Sequence, residues 1–208
     1  MARRRKPSGR KVLPDKGQRS SPRQVNTREI RPKFLIVCEG KKTEPNYFKR
    51  FRVNAKVVVV GLGDHTLSLV ERACELKHKD DYTRVWCVFD RNSVPAERFN
   101  AALDLARRNQ IRVAYSNEAF ELWYLLHFDY CDTAISRSSY RDRLTKRLGI
   151  PYRKNDLEMY DRLIDRQQTA IQNAQRLLDF YGPEHNPEQD NPCTTVHLLV
   201  QELNQHIS

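Results

Sequence analysis

Five apolar residues in a row, Phe34-Leu35-Ile36-Val37-Cys38, end at Glu39-Gly40. The run is too short for a typical helix and too apolar for a surface strand. It predicts a strand buried on both faces, as in a parallel sheet covered by helices. The residues after it, Lys41-Lys42-Thr43-Glu44-Pro45, carry a helix-start pattern with Thr43 as N-cap and proline in the first turn. A carboxylate, Glu39, therefore stands at the C-terminal end of a central strand, in the turn to a helix. In open α/β sheets that edge is where ligands bind. Gly40 lets the backbone turn sharply behind the acid.

The pattern then repeats. Helices are expected over 43–53, 66–78 and about 95–109. Buried strands are expected over 56–60 and 84–89, and a fourth short strand over 111–115. The third strand ends in Asp90-Arg91-Asn92. Alternation at this spacing specifies right-handed crossovers and a mostly parallel four-stranded sheet flanked by helices. Gly61 and Gly63 follow the second strand and read either as a phosphate cradle or as a plain strand-to-helix turn. Beyond residue 116 the chain is helical. Residues 119–128, AFELWYLLHF, form a helix apolar almost all round, hence buried. A basic amphipathic helix over 136–148 ends at Gly149. A long helix over 161–181, a polar loop over 182–192 and a last helix over 196–203 complete the chain. The expected organisation is a sheet core, 33–116, and a C-terminal helical layer, 117–208.

At 208 residues the chain suits one domain with appendages. Its formal charge of +11 is lopsided. Residues 1–33 hold twelve Lys/Arg against two acids, while the other 175 residues together carry +1. Residues 1–32 lack apolar periodicity and are expected to form a disordered basic tail. That tail is either a solubilising leader or a tether for phosphate backbones whose grip weakens with salt. No apolar run reaches transmembrane length and no signal-peptide core occurs, so a cytoplasmic protein away from membranes is expected. The five cysteines have no C-x-x-C spacing, which argues against zinc and against a disulfide framework. No G-x-x-x-x-G-K-[ST] occurs, which excludes a P-loop ATPase within this chain.

Glu39 and Asp90 end two buried strands on one edge of one sheet, with Asn92 two residues further on. Oxygen donors grouped this way suit a hard cation. Mg²⁺ typically takes one or two carboxylates and completes its shell with waters and substrate phosphate oxygens. Without a cation, close carboxylates repel and one tends to keep its proton. Lys41, Lys42 and Arg91 flank the acids and are candidate phosphate-binding residues. Glu121 lies among Phe120, Leu122, Trp123 and Leu125, with Glu118 three residues earlier on the same helical face. A buried carboxylate is costly unless paired or coordinated. Glu121 is therefore either half of an ion pair with an arginine or a third acid turned towards the site.

Four ordered segments, LIVCEGKKTEPNYF (35–48), VFDRN (88–92), SNEAFELWYLLHF (116–128) and NPCTTVHLLVQEL (191–203), resemble the RloB-like family. The resemblance covers the chain from about residue 33 to its end. It implies a Toprim-like fold and a nuclease dependent on Mg²⁺ or Mn²⁺, acting on DNA or RNA. It also implies a link to restriction loci and abortive anti-phage defence beside an AAA-type ATPase. The oligomeric state stays open, a homodimer included. By this resemblance Glu39 is the Toprim glutamate, a metal ligand or general acid/base, and Asp90 is the first acid of an Asp-x-Asp pair and a metal ligand. Asn92 stands in the second position as a neutral metal ligand, which weakens the hold on the cation or shifts it to Glu121 or Glu118. Glu121 falls in a Phe-Glu helix motif and is expected to be catalytic. Asn191, Thr194 and Thr195 either approach the site or cap the last helix. The alternative reading is a catalytically weakened module that binds nucleic acid or a partner ATPase without cutting.

Overall fold

The computed structural model describes residues 31–63, 65–91 and 94–207. The expected basic tail, apart from residues 31 and 32, lies outside the described residues, and so does Asn92. Strand β1 (Lys33–Cys38) is flanked by β2 (Lys56–Gly61) and β3 (Arg84–Asp90), and β4 (Arg112–Asn117) pairs with β3, all parallel. A two-residue strand, β5 (Cys193–Thr194), pairs antiparallel with β4 and closes the order β2-β1-β3-β4-β5. This is the α/β layout of a Toprim-like domain, with one short antiparallel edge strand beyond the four parallel ones expected.

Residues of β1 alternate between two cores. Phe34, Ile36 and Cys38 pack with Trp86, Val88 and Ala114, while Leu35 and Val37 pack with Val85, Cys87 and Phe89. A strand covered on both faces needs apolar side chains at every position, which is why the run is continuous. Helix α1 (Thr43–Phe48) lies on the first face. Helices α2 (Thr66–Lys77) and α3 (Ala96–Arg108) cover the second with Leu69, Val70, Ala73, Phe99, Ala102 and Ala106. Most of the remaining chain returns to the first face as α4 (Glu121–Leu126), α5 (Arg137–Leu148), α6 (Met159–Leu163), α7 (Gln167–Tyr181) and α8 (Val196–Asn204), while Leu178, Tyr181 and Cys193 reach the second core.

Several elements differ from expectation for identifiable reasons. Strand β2 is only half-buried, because it is an edge strand with a neighbour on one side. The first helix stops at Phe48, since Val53 is taken up in a bridge with Ile207 and Asn54 N donates to His206 O. Thr43 is not the N-cap; Lys42 is, and the Thr43 hydroxyl donates to Lys154 O at 2.9 Å instead. The helix expected over 161–181 begins at Met159 and is interrupted by a 3₁₀ turn, Ile164–Arg166. The buried stripe Met159, Leu163, Gln167, Ala170, Ala174 passes through that turn unbroken, so periodicity alone could not reveal it. Helix α5 starts and stops where its caps demand: Ser136 Oγ accepts from Ser139 N, and Gly149 takes the left-handed conformation with φ 69°.

Candidate active site

The turn after β1 is clamped by the end of β2. Leu62 N donates to Cys38 O at 3.0 Å and Gly63 N to Glu39 O at 2.8 Å. A β-carbon on Gly61 would stand 2.5 Å from Gly40 O and 2.7 Å from Pro45 Cγ. Gly63 has φ +74° and lies beneath the Lys41 side chain. Both glycines therefore serve the close approach of backbone behind Glu39, which decides for the turn reading over the phosphate cradle.

Parallel pairing brings the acids to one edge. The register sets Cys38 opposite Val88, so Glu39 and Asp90 both leave the sheet at its C-terminal side. Glu39 Oε2 accepts a hydrogen bond from Asp90 N at 3.0 Å, so the side chain reaches from the β1 turn across to β3. Helix α1 is held against α4 by an aromatic cluster in which Tyr47 sits edge-on to Phe120, Trp123 and Tyr160. That packing carries a fourth acid, Glu44, to the same place as Glu121. Glu44 is buried, and its Oε2 has no hydrogen-bond partner among the described residues.

Basic and phenolic groups complete the surroundings. Arg137, the first residue of α5, lies 3.5 Å from Asp90 Oδ2 and 3.9 Å from Glu118 Oε1. Tyr152 donates its hydroxyl to Glu121 Oε1 at 3.1 Å. Glu121 is half-buried at the start of α4, and its partner is this tyrosine rather than the arginine of the ion-pair reading. Glu118 precedes the helix in the bend after β4, so the two acids do not share a helical face as expected.

The carboxylates press on one another. Burial pushes the Glu44 carboxyl from its ordinary 4.5 up to about 7; Lys154 opposes the rise, and Glu121 and Glu39 add to it. Asp90 is held well above the usual carboxylate range, first by burial and then by Glu44, Glu121 and Glu39, with Arg137 pulling the other way. Glu39 is raised by burial, against the Asp90 N–H, Arg137, His65 and Lys154. Buried acids in mutual repulsion keep protons they would lose in water. Groups perturbed together by burial and by named charged neighbours are candidates for a functional site.

Glu39, Asp90 and Glu121 are thus brought together, joined by Glu44, which sequence reasoning passed over as a helix-start residue. The available signal was its spacing: an acid five residues after Glu39, with a glycine between them to make room. Lys41 and Lys42 are exposed beside the turn. Arg91 points elsewhere. Its guanidinium bonds Glu188 Oε1, Glu188 O and Val94 O and lies over the Phe99 ring, so it anchors the 182–192 loop. Thr194 and Thr195 tie β4 to the start of α8. Tyr115 N donates to Thr195 Oγ1 at 3.0 Å, and Val196 N donates to Thr194 Oγ1 at 3.3 Å.

All-oxygen donors, with an orphaned buried Oε2 among them, have the chemistry a hard cation prefers. Among the described residues no group of three His, Cys, Asp or Glu side chains has the arrangement to hold a metal ion. A hard cation such as Mg²⁺ takes one or two carboxylates and fills its shell with water and phosphate oxygens. The five cysteines are all free.

The family model described as RloB-like protein matches residues 34–203. The chain belongs to the RloB-like family. The matched span runs from β1 into α8, so the acid cluster, Arg137 and Tyr152 of this RloB-like chain all lie inside it. No curated protein and no solved structure matches it. No helix among the described residues is long and apolar enough to cross a membrane.

Proposed function

We propose that this chain is a nuclease that cleaves nucleic-acid phosphodiesters with Mg²⁺ or Mn²⁺. The observation that carries the reading is the convergence of four carboxylates from separate elements on the C-terminal edge of the sheet, with Glu39 Oε2 bonded to Asp90 N. Clustered acids that are buried or half-buried destabilise a fold unless a ligand relieves them, which favours a bound cation as their purpose. Glu39 and Asp90 are the residues to hold it, with Asn92 completing the set. A hard divalent cation bound there supplies Lewis-acid polarisation of the phosphorus and a more acidic water. Glu121, oriented by the Tyr152 hydroxyl, is the third acid at the edge, and Glu44 is the carboxyl that burial pushes up to about 7. Arg137, Lys41 and Lys42 are the cations assigned to phosphate in this reading. Family membership supports the wider setting: an effector of abortive anti-phage defence working with an AAA-type ATPase.

The test is cleavage of end-labelled DNA and RNA by the purified chain in Mg²⁺ and Mn²⁺, alone and with the ATPase. Glu39→Gln and Asp90→Asn each abolish cutting while thermal unfolding stays cooperative. Wild-type cleavage by both variants would sink the assignment. A second reading, a module that grips nucleic acid without cutting, draws on the Arg137–Asp90 contact, which neutralises part of the acid charge. It expects no cleavage by the wild type and salt-sensitive binding that survives Glu39→Gln.

A further inference from the structure

Helix α5 carries two kinds of arginine. Arg147 is bound to Asp129 and Arg143 rests on Cys131 Sγ. One turn apart on another face, Arg137 and Arg141 line a pocket of about 360 Å³ with Glu121, Tyr152, Arg153 and Lys154. Among the described residues, Arg141, Arg153 and Lys154 have no carboxylate within ion-pair distance, and Arg137 reaches Asp90 and Glu118 only at 3.5 and 3.9 Å. The far wall is fixed to the acid cluster. Lys154 O accepts from Thr43 Oγ1 at 2.9 Å and Asn155 O from Asn46 Nδ2 at 3.4 Å, so the 150–155 segment is docked on α1. Tyr152 is bonded to Glu121. Cations in excess of close carboxylate partners are therefore gathered beside acids that repel one another.

We infer that this pocket between α5 and residues 150–154 binds a phosphate of a single nucleic-acid strand, next to the one presented to Glu39 and Asp90. Its recognition residues are Arg141 and Lys154, with Arg137 at the border between pocket and acids. The inference rests on the proposed nuclease reading for the word "next" and on the pocket itself for the phosphate. The volume lies at the low end of small-ligand pockets, so it takes a phosphate with its sugar from one strand and does not enclose a duplex. Arginine is suited to the task because its planar fork meets two phosphate oxygens at once.

The test uses the full chain and fluorescent single strands of roughly 20 nucleotides, one DNA and one RNA, with Ca²⁺ replacing Mg²⁺, titrated across salt. Arg141→Ala and Lys154→Ala each weaken binding several-fold and flatten the slope of log K against log salt by about 0.7 per phosphate contact removed. Arg141→Lys keeps the slope and loses part of the affinity. Lys146→Ala, on the same helix outside the pocket, changes neither. Unchanged slopes in Arg141→Ala and Lys154→Ala overturn the proposal, as does an equal loss in Lys146→Ala, or a duplex bound more tightly than either strand. The preferred strand identifies the source of the phosphate. Cleavage is followed separately in Mg²⁺. Cutting without Arg141-dependent binding removes the pocket and spares the nuclease reading; Arg141-dependent binding without cutting does the reverse.

Discussion

The carboxylate of Glu44 lies against the α-carbon of Gly40, so closely that a β-carbon there would stand 2.8 Å from Glu44 Cδ. A helix residue is thereby seated under the turn that carries Glu39, and glycine is what leaves it room. Gly40→Ala should displace the Glu44 side chain and lower nuclease activity at least about tenfold, with little change in Tm because a side chain can move aside. Gly61→Ala differs, since its new methyl meets the Gly40 carbonyl and Pro45. It should cost roughly 1–3 kcal/mol. Thermal unfolding of the two variants checks this, and a Gly61→Ala protein as stable as the wild type contradicts it.

Glu44 also makes stability depend on pH in a definite direction. Its folded carboxyl titrates at about 7 and its ordinary value is 4.5, so between those values the unfolded chain has released a proton that the native one keeps. Raising the pH then favours unfolding. The loss begins above about 4.5 and is complete above about 7, reaching up to roughly 3 kcal/mol. Glu44→Gln should unfold at a higher temperature than the wild type at pH 8, with the gap closing towards pH 5. A gap independent of pH would show that the carboxyl is not the source.

Cation binding should expel protons, because carboxylates must be ionised to act as ligands and burial pushes both Glu39 and Asp90 upward. Calorimetry of Mg²⁺ or Mn²⁺ binding near pH 6.5 in two buffers of different ionisation enthalpy should give apparent enthalpies that differ. Glu39→Gln should weaken binding about tenfold or more. Identical enthalpies in the two buffers would mean that the acids are already ionised.

Tyr152 and Glu121 should behave as one unit. Tyr152 is buried, and its hydroxyl bonds Glu121 Oε1 at 3.1 Å. Tyr152→Phe should cost on the order of 1 kcal/mol and lower activity by loosening Glu121. In a double-mutant cycle with Glu121→Gln the two losses in activity should not add. Full additivity would separate the residues.

Arg91 should prove structural. Both it and Glu188 are mostly buried, with side chains 14% and 17% exposed. Arg91→Ala and Glu188→Ala should each cost about 2–3 kcal/mol, since each strands a charge, and the double variant should cost little more than either. The salt slope of nucleic-acid binding should stay the same. A flatter slope in Arg91→Ala would restore it as a phosphate ligand.

Much of the fold was legible in the residues because local signals and tertiary packing agree there. The apolar runs at 34–38 and 84–89, and the caps Ser136 and Gly149, each report the environment they later occupy. What could not be read has equally specific causes. Strand β5 is two residues long, too short for any period, and exists only because Ser116 and Asn117 offer it an edge. Thr43 has the residue type of an N-cap, but its hydroxyl is claimed by Lys154 O, 111 residues away.

The candidate site divides along the same line. That Glu39 and Asp90 stand on one sheet edge follows from the residues alone, because parallel strands joined by right-handed helical crossovers carry their C-terminal ends to the same side. It took the packed chain to bring Glu44 to them, to turn Arg137 and Lys154 towards the acids and to turn Arg91 away. Those placements depend on how α1, α4, α5 and the 150–155 segment pack across long separations, and no local periodicity encodes which side of a loop a charge will face.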